Sequence, residues 1–228
     1  MTRKLAARFF GLIAIGTALP LAGADDLVDF QPGGYIHVDN SYGYLTVEGW
    51  DESKVEVIVT KSPDRSGQIR VVTDRRSDKE LAVTTTLPVR GFPFSILPSG
   101  RFLVTIPKTS HRGVTLEYTL HVPRDSRLVV HHDYGYVSVS DVRGDIEVDS
   151  HTGDMIVMLP DPGPYSIDAK TGMGSISSDL TGHGNKRFVV GSHFVHAGQA
   201  PSRRIFLRMG RGCITIKNGP PSGPFRKD

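Results

Sequence analysis

A short phrase recurs along this chain and restricts its fold more than any other feature: a glycine, one variable residue, then apolar, variable, apolar. It reads Gly43-Tyr44-Leu45-Thr46-Val47, Gly135-Tyr136-Val137-Ser138-Val139, Gly144-Asp145-Ile146-Glu147-Val148, Gly153-Asp154-Met155-Ile156-Val157 and Gly212-Cys213-Ile214-Thr215-Ile216, with a looser copy at Gly174. Gly135, Gly144 and Gly153 are nine residues apart. Nine residues hold one short strand and a turn, too little to bury an apolar face alone, so such units must stack to make a core. Glycine suits the turn because it takes a positive φ at little steric cost. Elsewhere, Val55, Val57 and Val59, or Val114, Leu116, Tyr118, Leu120 and Val122, alternate with the period of two of a half-buried strand. Across 34–216 no convincing ten-residue stretch has apolar positions at helical spacing. The expected fold is all-β: a β-solenoid, a single-stranded, β-helix-like stack.

A longer likeness relates Ser41-Tyr42-Gly43-Tyr44-Leu45-Thr46-Val47 to Asp133-Tyr134-Gly135-Tyr136-Val137-Ser138-Val139, at an offset of 92. The stack therefore starts early, is interrupted over about 62–112, and resumes. The interruption holds the turn Pro63-Asp64-Arg65-Ser66-Gly67, strand-like runs at 69–73 and 81–87, and a Pro/Gly-rich loop at 88–100. It reads as an inserted β-hairpin followed by a long loop. Residues 218–228 contain Gly219-Pro220-Pro221-Ser222-Gly223-Pro224, which holds no regular element and is expected to be a disordered tail.

The first 24 residues have the parts of a secretory signal: Arg3, Lys4 and Arg8, an apolar run over 9–21, then Ala22-Gly23-Ala24. Cleavage is expected after Ala24, which leaves 25–217 as one domain and places the protein outside the cytoplasm, in a periplasm or beyond it. The apolar run is too short to span a bilayer, and no later segment is apolar enough, so no membrane span is expected once the signal is removed. Location also decides the charge. The whole chain has 27 basic and 24 acidic residues, but three basic ones lie in the signal, so the remainder is balanced and lacks the broad cationic footprint of a nucleic-acid binder. The single Cys213 cannot form an intrachain disulfide; it reads as a small residue in a strand, with a nucleophile or intermolecular thiol as the other reading.

At Gly43 to Val47 with Gly49-Trp50-Asp51 and Val55-Glu56-Val57, and at Leu120-His121-Val122-Pro123 leading through Leu128-Val129-Val130 to the Gly-Asp units, the chain resembles the bacterial putative adhesin domain family. The resemblance covers most of 34–180. It implies an exported, adhesin-like β-solenoid with no established catalytic residues to carry over. The chain departs from the pattern at 160–164 and 182–184, where prolines and glycines break the spacing, so the regular stack is expected to be short.

Several constellations bear on chemistry. His131, His132, Asp133 and His151 are the best metal candidates, since imidazole with carboxylate suits zinc. Adjacent strand residues face opposite ways, however, so His131 and His132 are not expected to share an ion. His193 and His196 have the same parity problem. Asp145 and Asp154 follow glycines as in calcium-binding nonapeptides, but the second glycine is missing, and turn aspartates bonding their own backbone explain them too. There is no Gly-x-Ser-x-Gly elbow. No cofactor or catalytic residue is expected. Phe92, Phe94, Ile96 and Leu97, among prolines, form either a partner-contact patch or a plug for one end of the stack. Arg203, Arg204, Arg208 and Arg211 either meet anionic envelope polymers or are solvated. The expected function is an exported, non-catalytic, adhesin-like binding or cell-envelope structural protein with an envelope or surface ligand. The alternative is an extracytoplasmic β-helix enzyme acting on polysaccharide, which requires paired carboxylates across a groove.

Overall fold

The computed structural model describes residues 26–61, 70–86, 116–160, 165–186, 191–198 and 203–219. These contain β-strands and no helix. Strand β2 (Tyr35–Trp50) runs beside β7 (Arg127–Ser140), and β7 beside β8 (Ile146–Leu159), all parallel. Their register puts Gly43 opposite Gly135 and Gly135 opposite Gly153. Each of these long strands is two short ones joined at a glycine corner. In β2, Ile36, Val38 and Asn40 point inward, and after the corner so do Leu45 and Val47. The corner thus shifts the parity of the alternation, which lets both halves face one interior.

The nine-residue spacing now has a geometric meaning. Leu128, Val137, Ile146 and Met155, each nine after the last, all enter the core. Leu128 and Ile146, 18 apart, are the residues in register. The nine-residue unit therefore takes the chain from one glycine corner to the other, and residues 18 apart lie in register on neighbouring strands. Gly135 and Gly153 share one corner, while Gly144 lies at the other, packed on the carbonyl of Ser126.

Five glycines of the first corner form a continuous column. Gly43, Gly135, Gly153, Gly174 and Gly212 all have positive φ, between 119° and 141°. A Cβ on Gly135 would collide with the carbonyl oxygen of Gly43, one on Gly153 with that of Gly135, one on Gly212 with that of Gly153, and one on Gly174 with that of Gly212, each at well under 3.0 Å. Backbone conformation and neighbouring backbone both demand glycine here.

The order of strands differs from consecutive winding. β5 (Glu80–Thr86) adds parallel to the first half of β2, and β6 (Leu116–Pro123) to its second half, so β2 lies between β6 and β7. At the other end β9 (Tyr165–Met173) does not touch β8; β13 (Arg203–Arg211) inserts between them, parallel to both. β14 (Ile214–Asn218) likewise joins β8 to β10 (Ile176–Ser178). The ladder continues past 160–164 and includes Gly174, so it is longer than the broken spacing suggests. Antiparallel strands flank it: β1 (Asp26–Asp29) and β3 (Lys54–Lys61) beside β6, β4 (Arg70–Ser77) on β5, and β11 (His183–Lys186) and β12 (Ser192–His196) beside β9. The hairpin expected in the interruption is β4 and β5, and β5 belongs to the ladder itself.

Candidate binding ridge

Because the glycine column carries no side chains, the residues on either side of it form a ridge. Tyr42-Gly43-Tyr44 and Tyr134-Gly135-Tyr136 place two tyrosines on each of two adjacent strands. The ring centroids of Tyr44 and Tyr136 are 6.4 Å apart with planes tilted by 45°. Tyr44 is 53% exposed, among the most exposed large side chains described. Tyr134 meets His151 of the next strand edge to face at 5.8 Å. Around these rings lie Asp39, Asp133, Asp149 and Asp154, with Glu117 in register with Tyr44 on β6; all five are exposed. The stretches 39–44, 131–136 and 149–154 contain no lysine or arginine. Among the described residues none of these five carboxylates is ion-paired with Lys or Arg.

Under the ridge the same strands carry polar side chains inward. Asn40, His132, Ser150 and Thr171 are buried, and Asn40, His132 and Ser150 follow one another in register. His132 is 3% exposed, its ring against the backbone of Gly43, Asn40 and Tyr134. Burial, which disfavours the imidazolium, lowers its pKa from 6.5, and the nearby Asp133 carboxylate opposes this only in part. His131, by contrast, is exposed between Asp39 and Asp149. The two histidines thus sit on opposite faces, and among the described residues no cluster of three His, Cys, Asp or Glu has the geometry to hold a metal ion.

Asp145 and Asp154 perform the same task at different corners. Asp145 accepts the Arg204 N–H of β13 at 2.9 Å and Asp154 the Cys213 N–H of the adjoining turn at 3.0 Å. Cys213 lies in the turn between β13 and β14 rather than in a strand, exposed, and accepts from the Ser175 hydroxyl at 3.4 Å. The basic residues of β13 are partly engaged. Arg208 makes two bonds to the Asp168 carboxylate and covers the Phe206 ring at 3.4 Å; Arg203 donates to the Arg143 carbonyl. Burial pushes the Asp168 pKa up, but hydrogen bonds from Arg208 and His193 outweigh it and leave the carboxyl below its ordinary value. His196 bonds the Thr181 carbonyl at 2.6 Å. Ala24, Phe92, Phe94, Ile96 and Leu97 lie outside the described residues.

A second polar cluster has no signature in the sequence. His121 bonds Glu56 at 2.7 Å, approaches Glu48 at 3.4 Å and stacks on Trp50 at 5.2 Å, joining β2, β3 and β6. Its members are far apart along the chain, so only the pairing of strands reveals it. The tyrosines are visible in the duplicated Tyr-Gly-Tyr, but on the sequence alone that likeness speaks only of architecture.

No protein-family model and no curated protein matches the chain. Two solved structures are similar. A crystal structure described as a putative cell adhesion protein from Clostridium sporogenes is 13% identical, with a TM-score of 0.49, over 87% of this chain and 100% of that one. One described as a putative adhesin from Bacteroides fragilis is 11% identical, with a TM-score of 0.26, over 87% and 97%.

Proposed function

We propose that this chain is an exported, non-catalytic, adhesin-like β-solenoid that binds a surface or envelope ligand, with the tyrosine ridge as its contact surface. The observation that carries this reading is the ridge itself: the exposed Tyr44 ring beside the half-buried Tyr136, with carboxylates that, among the described residues, no Lys or Arg pairs, held in register by the glycine column. Tyrosine supplies large, rigid contact area with few rotatable bonds, which suits recognition. A polysaccharide-cleaving enzyme is less well supported, because the carboxylates that converge, Glu48 and Glu56, do so on His121, whose ring fills the space between them. A catalytic pair needs that space for a sugar or a water. Among the described residues no helix is long and apolar enough to cross a membrane. Protease shaving of intact cells carrying a tagged copy tests the reading, with a periplasmic protein as leakage control. Digestion while the control survives is the expected result. Protection until the outer envelope is opened would remove the adhesive role and leave a periplasmic one.

A further inference from the structure

We infer that the tyrosine ridge receives the cationic side chains of an extended, arginine- or lysine-rich peptide segment of a partner protein. The inference rests on the reading of the ridge as the contact surface and adds the chemistry of what docks there.

Three observations select this occupant. The first is charge. Outside the signal segment the chain is electrically balanced, yet the ridge gathers Asp39, Asp133, Asp149, Asp154 and Glu117 with no lysine or arginine in its three stretches; on the adjoining β13, Arg208, in register with Asp149, is bonded to Asp168, and Arg211 borders the ridge beside Thr152. Such a field attracts a cation and repels phosphate or sulfate. The second is the unused ring faces. Elsewhere on the outer surface aromatic rings are covered by the chain's own guanidinium groups: Arg127 lies over Tyr35 at 5.0 Å and Arg208 over Phe206 at 3.4 Å. Among the described residues no such cation covers Tyr44 or Tyr136, whose ring planes are tilted by 45° to each other rather than stacked face to face. A cation over an aromatic face is attracted by the ring quadrupole, and carboxylates nearby strengthen the preference. The third is spacing. An extended peptide repeats every second side chain at about 6.6 Å, twice the rise of a strand. The two rings are 6.4 Å apart, so alternate arginines of a peptide running across the strands would meet successive tyrosines.

The test measures binding of the purified protein to a fluorescent peptide that alternates arginine with serine, at physiological ionic strength, by anisotropy. A glutamate-serine peptide and an uncharged β-linked glucose oligosaccharide are the comparison probes. The arginine peptide should bind and the other two should not. The double variant Tyr44→Ala/Tyr136→Ala, which changes no charge, should weaken binding about tenfold, whereas Tyr44→Phe/Tyr136→Phe, which keeps the ring faces, should retain it. Asp133→Asn/Asp149→Asn should weaken binding and flatten its salt dependence. Thermal melts establish that each variant is folded; if the alanine pair is not, the phenylalanine and asparagine pairs still decide. Absence of peptide binding, or binding that the folded alanine pair leaves unchanged, overturns the inference. Oligosaccharide binding that requires both tyrosines, with the peptide ignored, overturns the cationic occupant and keeps the ridge as a contact surface. If no probe binds and shaving finds the protein protected, the functional reading fails with it.

Discussion

Gly135 and Gly153 are among the residues this molecule can least change. Each has a positive φ, and the space where a Cβ would sit is taken by the carbonyl oxygen of the glycine on the next strand. Gly153→Ala should therefore cost about 4 kcal/mol or more, in the range reserved for core disruption, because strain and backbone overlap act together and neither yields to a side-chain rotation. Gly33 also has a positive φ, but no heavy atom lies within 4 Å of the point a Cβ would occupy. Its change to Ala should show only the conformational cost of about 1–2 kcal/mol. Urea unfolding of the two variants separates the contributions; equal losses would show that crowding at the column adds nothing.

His132 makes stability depend on pH. Its folded pKa lies below the unfolded value, so between the two the unfolded chain takes up a proton that the native chain excludes. Stability is retained above about pH 6.5 and falls as pH drops through that value towards the folded pKa, with a limiting slope of about 1.4 kcal/mol per pH unit for one group. His132→Asn continues the column begun by Asn40 and removes the titrating group. The urea midpoint of that variant should fall less than that of the parent between pH 7 and pH 5. Parallel decline in both proteins would place the acid sensitivity elsewhere.

At the scale of strands, Asp145 and Asp154 show how turn carboxylates tie one strand to what lies beside it. Asp145 accepts the N–H of Arg204 in β13 and Asp154 that of Cys213 in the β13–β14 turn, and the two stand at different corners. Asp154→Ala should cost about 1 kcal/mol, the worth of one such bond, and millimolar calcium should leave the melting temperature of the parent protein unchanged. A calcium-dependent rise abolished by that substitution would establish an ion site. Period two and the recurring glycines make the all-β class and the nine-residue unit legible in the sequence, because both follow from local sterics. The parity of His131 and His132 is legible for the same reason. The cluster of Glu48, Glu56 and His121 is not, since it depends on β3 and β6 pairing across a gap of 65 residues between Glu56 and His121. The tyrosines are plain in the sequence, but only the register of β2 on β7 turns two separate Tyr-Gly-Tyr phrases into one surface.

At the scale of the molecule, the arrangement of β8, β13 and β9 sets the outcome of truncation. In a stack wound in order, removing the last strands shortens one end. Here β13 separates β8 from β9, so a chain ending at residue 202 would leave an open slot in the middle, with two strand edges and the buried side chains Ile205, Leu207 and Met209 missing between them. Such a chain should lose cooperative unfolding altogether rather than melt a little earlier. Circular dichroism melts and amide exchange would show this, and a truncated protein with protected β2 and β7 amides would mean that the two ends fold independently.

The late arrival of β13 also sets the order of events at birth. A polypeptide emerging from its N-terminus can make β2, β6, β7 and β8 early, but β13, which joins β8 to β9, is made after both of them. Until then the chain exposes unpaired edges and remains pliable. Native parallel contacts that join residues 59 apart, as between β8 and β13, form slowly in any case.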